Sequence, residues 1–219
     1  MYFKKFNFFH GIMFHHFHDN ETHMQGQGSI SKDEFIKIIS FIGRDNILDA
    51  EVFFEKFTKK ELKKNEVCLT FDDGIKSQVD IALPVLEKLN IKSFFFIHSS
   101  IFDEVPDNLE LFRYFRTNYF NHINFFYDEF YKILNQNLNL FFEKNNQKII
   151  LTKQKFPHYS IKDIKFRLVR DIYLTKEKYE KIMFTMINEK KLNFKEIYKK
   201  FFFNQKDLKK IDNQGHLVG

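Results

Sequence analysis

Between Val67 and Ile97 the chain alternates in a way that few folds allow. Val67-Cys68-Leu69-Thr70-Phe71 is a short, nearly continuous apolar run, the pattern of a buried strand. Asp72-Asp73-Gly74 follows as a turn. From Lys76 to Leu89 the apolar residues Val79, Ile81, Ala82, Val85, Leu86 and Leu89 recur at helical spacing, with Pro84 placed to kink the helix. Ile91 to Ile97 is a second apolar run, as expected of a strand covered on both faces by helices. Strand, helix and strand in this order make a βαβ unit, which closes right-handed with its strands parallel. An α/β fold follows. The scarcity of Gly (7) and Pro (3) points the same way, against a hairpin-rich all-β chain.

Around this unit, Gly11 to Phe17 reads as a strand whose carboxyl end delivers histidines into a loop. Ser31-Lys32-Asp33-Glu34 is a capping box ahead of Phe35, Ile38, Ile39 and Ile42, so a helix begins there, and Gly43 is placed to end it. A short helix is expected from Ala50 to Lys60. After Asp107 helical periodicity dominates, over Tyr127–Leu134, Ile161–Tyr173, Lys176–Ile187 and Phe194–Phe202, with a break at Pro157 and His158. The expected organisation is one domain over residues 1–219, with a helical insertion at 101–210. His216 to Gly219 looks like the first half of a new strand.

Two adjacent carboxylates at the carboxyl end of a buried strand stand where α/β proteins place their active sites. Neighbouring side chains leave a strand in different directions, so Asp72 can face a water molecule while Asp73 binds a metal. Two close negative charges raise each other's cost of ionisation unless a cation compensates. The simpler alternative is an Asp-Asp-Gly turn in which an Asp caps the following helix. In His15-His16-Phe17-His18-Asp19, strand geometry puts His16 and His18 on one face and His15 on the other. With Asp73 they make an alternative metal hydrolase site. Arg113, Arg116, Arg167 and Arg170 form two pairs three residues apart that suit an anion, or ion pairs with nearby acids such as Asp171. Cys68, alone and in an apolar run, reads as an inert buried thiol.

Thr70-Phe71-Asp72-Asp73-Gly74 resembles the first motif of the NodB-like polysaccharide deacetylases. Ala82-Leu83-Pro84-Val85-Leu86 and Ile91-Lys92-Ser93-Phe94-Phe95-Phe96-Ile97 are similar to that family's next helix and strand, and Ile12-Met13-Phe14-His15-His16-Phe17 to its early Met-Tyr-His-His segment. The resemblance covers about residues 11–100. It implies part of a distorted (β/α) barrel and a metal-dependent hydrolase that removes N-acetyl groups from sugars of an envelope or O-antigen polysaccharide. It further implies Asp72 as general base, Asp73 as ligand of a divalent metal (zinc), and His15, His16 and His18 as substrate-contacting or supporting residues. The family completes its metal site with a His-Ser/Thr-x-x-His pair after a Gly-His/Tyr-x-x-Gly segment. Gln214-Gly215-His216-Leu217-Val218-Gly219 resembles the latter, but no His-x-x-x-His pair occurs among the nine histidines. Two of the expected ligands are missing, and a barrel takes about 250 residues. The expectation is therefore a chain that stops before its metal site is complete. Two rival readings are an inactive gene fragment and a non-catalytic glycan-binding or assembly protein of the same fold.

Composition narrows the partners. The net charge of +6 permits an acidic partner, yet Lys and Glu alternate, as in Lys59-Lys60-Glu61-Leu62-Lys63-Lys64, the look of solvated helix faces. Nucleic acid is not expected; a carbohydrate is. The 31 Phe and absent Trp fit a genome rich in A and T. Lys4 and Lys5 precede an aromatic stretch, but Asn7, His10, His15 and His16 interrupt it, and no small-residue cleavage site follows. No apolar run reaches the roughly 18 residues that span a bilayer. A cytoplasmic protein without a membrane span is expected, and nothing in the chain sets its oligomeric state.

Overall fold

The computed structural model describes residues 10–26, 28–102 and 108–219. Lys4, Lys5 and Asn7, on which the comparison with a leader rests, lie outside the described residues, as does Asp107. The elements begin with β1 (His10–Phe14), β2 (Phe17–His18), β3 (Ile30–Ser31), α1 (Lys32–Ile42), α2 (Ala50–Lys59), β4 (Val67–Asp72), α3 (Leu83–Lys88) and β5 (Phe94–Phe96). Then come α4 (Asn108–Asn118), α5 (Ile123–Leu134), α6 (Asn139–Lys144), α7 (Asn146–Lys155), α8 (Ile161–Leu168), α9 (Lys176–Glu189), α10 (Phe194–Phe201), α11 (Gln205–Asn213) and β6 (Leu217–Val218). The described residues of 1–107 and those of 198–219 form one compact unit, and residues 108–197 another. No described helix is long and apolar enough to cross a membrane.

The first unit is α/β. β1, β4, β5 and β6 lie side by side in that order, every pair parallel. Sequential order with helical crossovers is also the arrangement of neighbouring strands in a (β/α) barrel. Phe14, Phe71 and Phe95 are in register across the sheet, and the rings of Phe71 and Phe95 stack at 4.7 Å. Phe35 of α1 meets the edges of Phe14 and Phe17, so aromatic burial joins helix to sheet. Ser31 accepts from the Glu34 N–H (3.2 Å) and the Glu34 carboxylate accepts from the Ser31 N–H (2.7 Å), the capping box that starts α1. Gly43, at φ 86°, ends it.

Three expectations change in detail. The strand over Gly11–Phe17 breaks at His15 and His16, whose carbonyls accept instead from the Gln78 side chain (2.9 Å) and the Ile30 N–H (3.1 Å). The run Ile91–Ile97 pairs as a strand only over Phe94–Phe96. The N–H groups of Ile91, Lys92 and Ser93 are taken by Leu86, Asp49 and His216. Helices cover the Phe71 side of the sheet, but the side that carries Asp72 is open at its carboxyl end. Met13 is 57% and Phe96 46% exposed there. Pro84 does disturb its helix: a π-turn spans Gln78–Ala82, and the Leu83 N–H bonds five residues back to Gln78, just before the proline.

The second unit is helical. Phe112, Phe115, Phe126, Phe130 and Phe166 are fully buried, and Phe130 meets Phe166 edge to face at 5.0 Å. The arginines are paired. Arg116 and Arg167 both reach Asp163, at 3.6 and 2.8 Å, Arg170 bonds Asp171 and Arg113 lies 3.7 Å from Glu110.

Candidate active site

Asp72 is the last residue of β4, and its turn is fixed on three sides. Its own carbonyl accepts from Gln78 Nε2 at 2.6 Å, and the same amide donates to the His15 carbonyl at 2.9 Å. Gln78 is completely buried, so one side chain ties together the carboxyl ends of β1 and β4. The Asp73 N–H bonds the Phe96 carbonyl (3.0 Å), and the Gly74 carbonyl accepts from the Phe203 N–H (2.8 Å). Two residues on, Lys76 bridges Asp207 (2.5 Å) and Asp80 (3.6 Å), and Asp80 accepts from His23 Nε2 (2.9 Å). Asp73 and Gly74 both hold left-handed backbone, at φ 75° and 65°. For Asp this is a sparsely occupied region, which persists only where surroundings enforce it.

The turn brings both carboxylates to one place. His15 Nε2 lies 3.8 Å from Asp72 Oδ2 and 3.5 Å from Asp73 Oδ2, and His98 Nε2 lies 3.4 Å from Asp73 Oδ1. Both acids remain about one quarter open to solvent, at 26% and 23%. Burial pushes the Asp72 carboxyl above its ordinary range; His15 opposes that push, the Asp73 charge adds to it, and His98 opposes it. An acid held this way is a better base than a free aspartate.

The other sequence candidates lie elsewhere. His16 stacks on Phe201 at 6.3 Å, and buried His18 pairs through Nδ1 with Ser29 at 3.0 Å. His15, not the pair His16 and His18, stands beside the acids, because the strand ends at Phe14 and its alternation no longer applies. Sequence reasoning missed His98 and Gln78. His98 directly follows the Ile91–Ile97 run, at the same carboxyl edge as Asp72, and that position was the available signal. Phe201-Phe202-Phe203 is buried and holds the Gly74 turn.

A resident metal needs about three protein ligands and an open position. Asp73 offers a carboxylate with His15 and His98 beside it. Among the described residues, however, no group of three His, Cys, Asp or Glu side chains is arranged to hold an ion. The described residues do not complete a metal centre.

Residues 59–122 match the polysaccharide deacetylase family model. The matched segment contains β4, the Asp72-Asp73-Gly74 turn, Gln78, α3, β5 and His98, whereas His15, His23, Phe203 and Asp207 lie outside it. No curated protein matches the chain by sequence. Two solved structures align with part of it. A de-N-acetylase from Aggregatibacter actinomycetemcomitans is 20% identical over 43% of this chain and 39% of its own, at a TM-score of 0.37. The Streptococcus pyogenes deacetylase PplD, in complex with acetate, is 22% identical over 42% of this chain and 43% of its own, at a TM-score of 0.35. The chain thus spans about two-fifths of the length of either solved protein.

Proposed function

We propose that this chain serves a carbohydrate de-N-acylation, in which Asp72 is the general base. What supports the reading is the approach of both acids, which lie in the segment matched by the deacetylase family model, to one imidazole nitrogen, 3.5 and 3.8 Å from His15 Nε2. In the reaction, water attacks the carbonyl carbon of an N-acetyl group, Asp72 accepts the water's proton, and the leaving sugar amine takes a proton as the C–N bond breaks. Carboxylate and amino sugar are the products. Asp73 matches the family's metal-ligand position, and a divalent metal, zinc by resemblance, would supply electrophilic activation of the carbonyl. That dependence belongs to the proposal, since the described residues do not complete such a centre. The substrate class proposed is an N-acetylated sugar of an envelope or O-antigen polysaccharide.

The test is acetate release from N-acetylated oligosaccharides by the full chain with added divalent metal. Turnover is expected, and Asp72→Asn lowers kcat by about 10²–10⁴-fold, the usual contribution of a positioned base. Unchanged turnover in D72N, or none in the wild type with any metal, removes the proposal.

A further inference from the structure

The helical unit holds a cavity of about 560 Å³, within the usual size of small-molecule sites, far in sequence from the two acids. Its walls come from the end of α5, the Tyr173–Leu174 link and one face of α9. Ile133, Leu134, Leu174 and Ile182 give it an aliphatic part, beside the polar Gln136 and Thr185. Lys178 and Lys181 also line it, one helical turn apart, and α9 presents them on the same face as Ile182 and Thr185. Among the described residues no carboxylate pairs with either ammonium.

We propose that this cavity binds a single-chain amphipathic carboxylate, a molecule of fatty-acid class. A hydrocarbon chain would cover the half-buried Ile133, Leu134 and Leu174 beside the already buried Ile182. A carboxylate head would supply the counter-charge that Lys178 and Lys181 lack within the protein, and a charge-assisted bond of this kind is about twice as strong as a neutral one. Both lysines are exposed, so a neutral chain costs them little and forgoes only the charge-assisted contact. A sugar would leave the aliphatic lining poorly matched, with Tyr173 the one ring to stack on. The proposal is independent of the deacetylase reading, because no lining residue belongs to the Asp72 site.

Calorimetric titration of the full chain with decanoate, below its micelle concentration, tests this, with decanol and decyltrimethylammonium as neutral and cationic probes of matched chain. Decanoate binds saturably, about tenfold more tightly than decanol, and the cationic probe binds more weakly still. Lys178→Gln combined with Lys181→Gln brings decanoate down to the level of decanol and leaves decanol unchanged, which shows the cavity intact. D72N binds decanoate as the wild type does. Absence of saturable decanoate binding, equal affinity for the three probes, or an unaffected double variant overturns the proposal.

Discussion

Asp73 and Gly74 stand in succession at positive φ, and the space around the glycine is full. A methyl group on Gly74 would approach Ile101 Cδ1 to 2.8 Å and Ile97 Cγ2 to 3.0 Å. Gly74→Ala therefore combines left-handed backbone strain with overlap, and is expected to cost about 1–3 kcal/mol in urea unfolding. His216 makes a second prediction. It is 3% exposed, accepts from the Ser93 N–H at 3.0 Å, and meets Phe95 edge-on at 5.3 Å. Burial, reinforced by Lys92, pushes its pKa from 6.5 down to about 4. The unfolded chain then binds more protons than the folded one between those values. The neutral ring's contribution is complete above about pH 6.5 and is lost as pH falls toward 4. Unfolding measured across that window shows a slope that His216→Gln reduces; an unchanged slope would assign acid lability to other groups. Cys68 needs no such test to be placed: it is 2% exposed and its thiol is pushed up to about 12 by burial, the inert state expected from its apolar run.

At the scale of elements, what could be read in advance was local. The apolar run of β4, the capping box of α1 and the glycine that ends it are signals contained within a few residues, and each element formed where those residues stand. The strand ends were not legible, because they depend on partners remote in sequence. The Gln78 amide takes the His15 carbonyl from 63 residues away, and His216 takes the Ser93 N–H from 123 away. No period in the sequence encodes either bond. The same holds in the helical unit, where Asp163 of α8 accepts from Tyr127 of α5 at 2.9 Å and from Arg167, and lies 3.6 Å from Arg116 of α4. Arg116 and Asp163 are nearly sealed from solvent, at 5% and 4% exposure. Asp163→Ala strands a buried guanidinium and is expected to cost about 3–5 kcal/mol of unfolding free energy. Replacement of exposed Asp128, whose partner is the exposed Lys162, costs less than about 1 kcal/mol.

Over the whole molecule, the α/β character and the position of Asp72 and Asp73 at a strand tip followed from the βαβ pattern alone. The participation of His15 and His98 did not, since a histidine in an aromatic run carries no mark of the side chain it will face. The excess of Phe has a structural use in both units, through Phe71 and Phe95 in the first and Phe130 and Phe166 in the second. On the proposed reading Asp72, raised by burial and opposed by His15, is the base of a hydrolytic site. The pH dependence of kcat/KM for acetate release tests it most directly. A base must be ionised, so an acid limb is expected above the ordinary aspartate range, moving to higher pH in His15→Gln as the opposing imidazole is lost. A limb at or below the ordinary range, or one unmoved by His15→Gln, would contradict it.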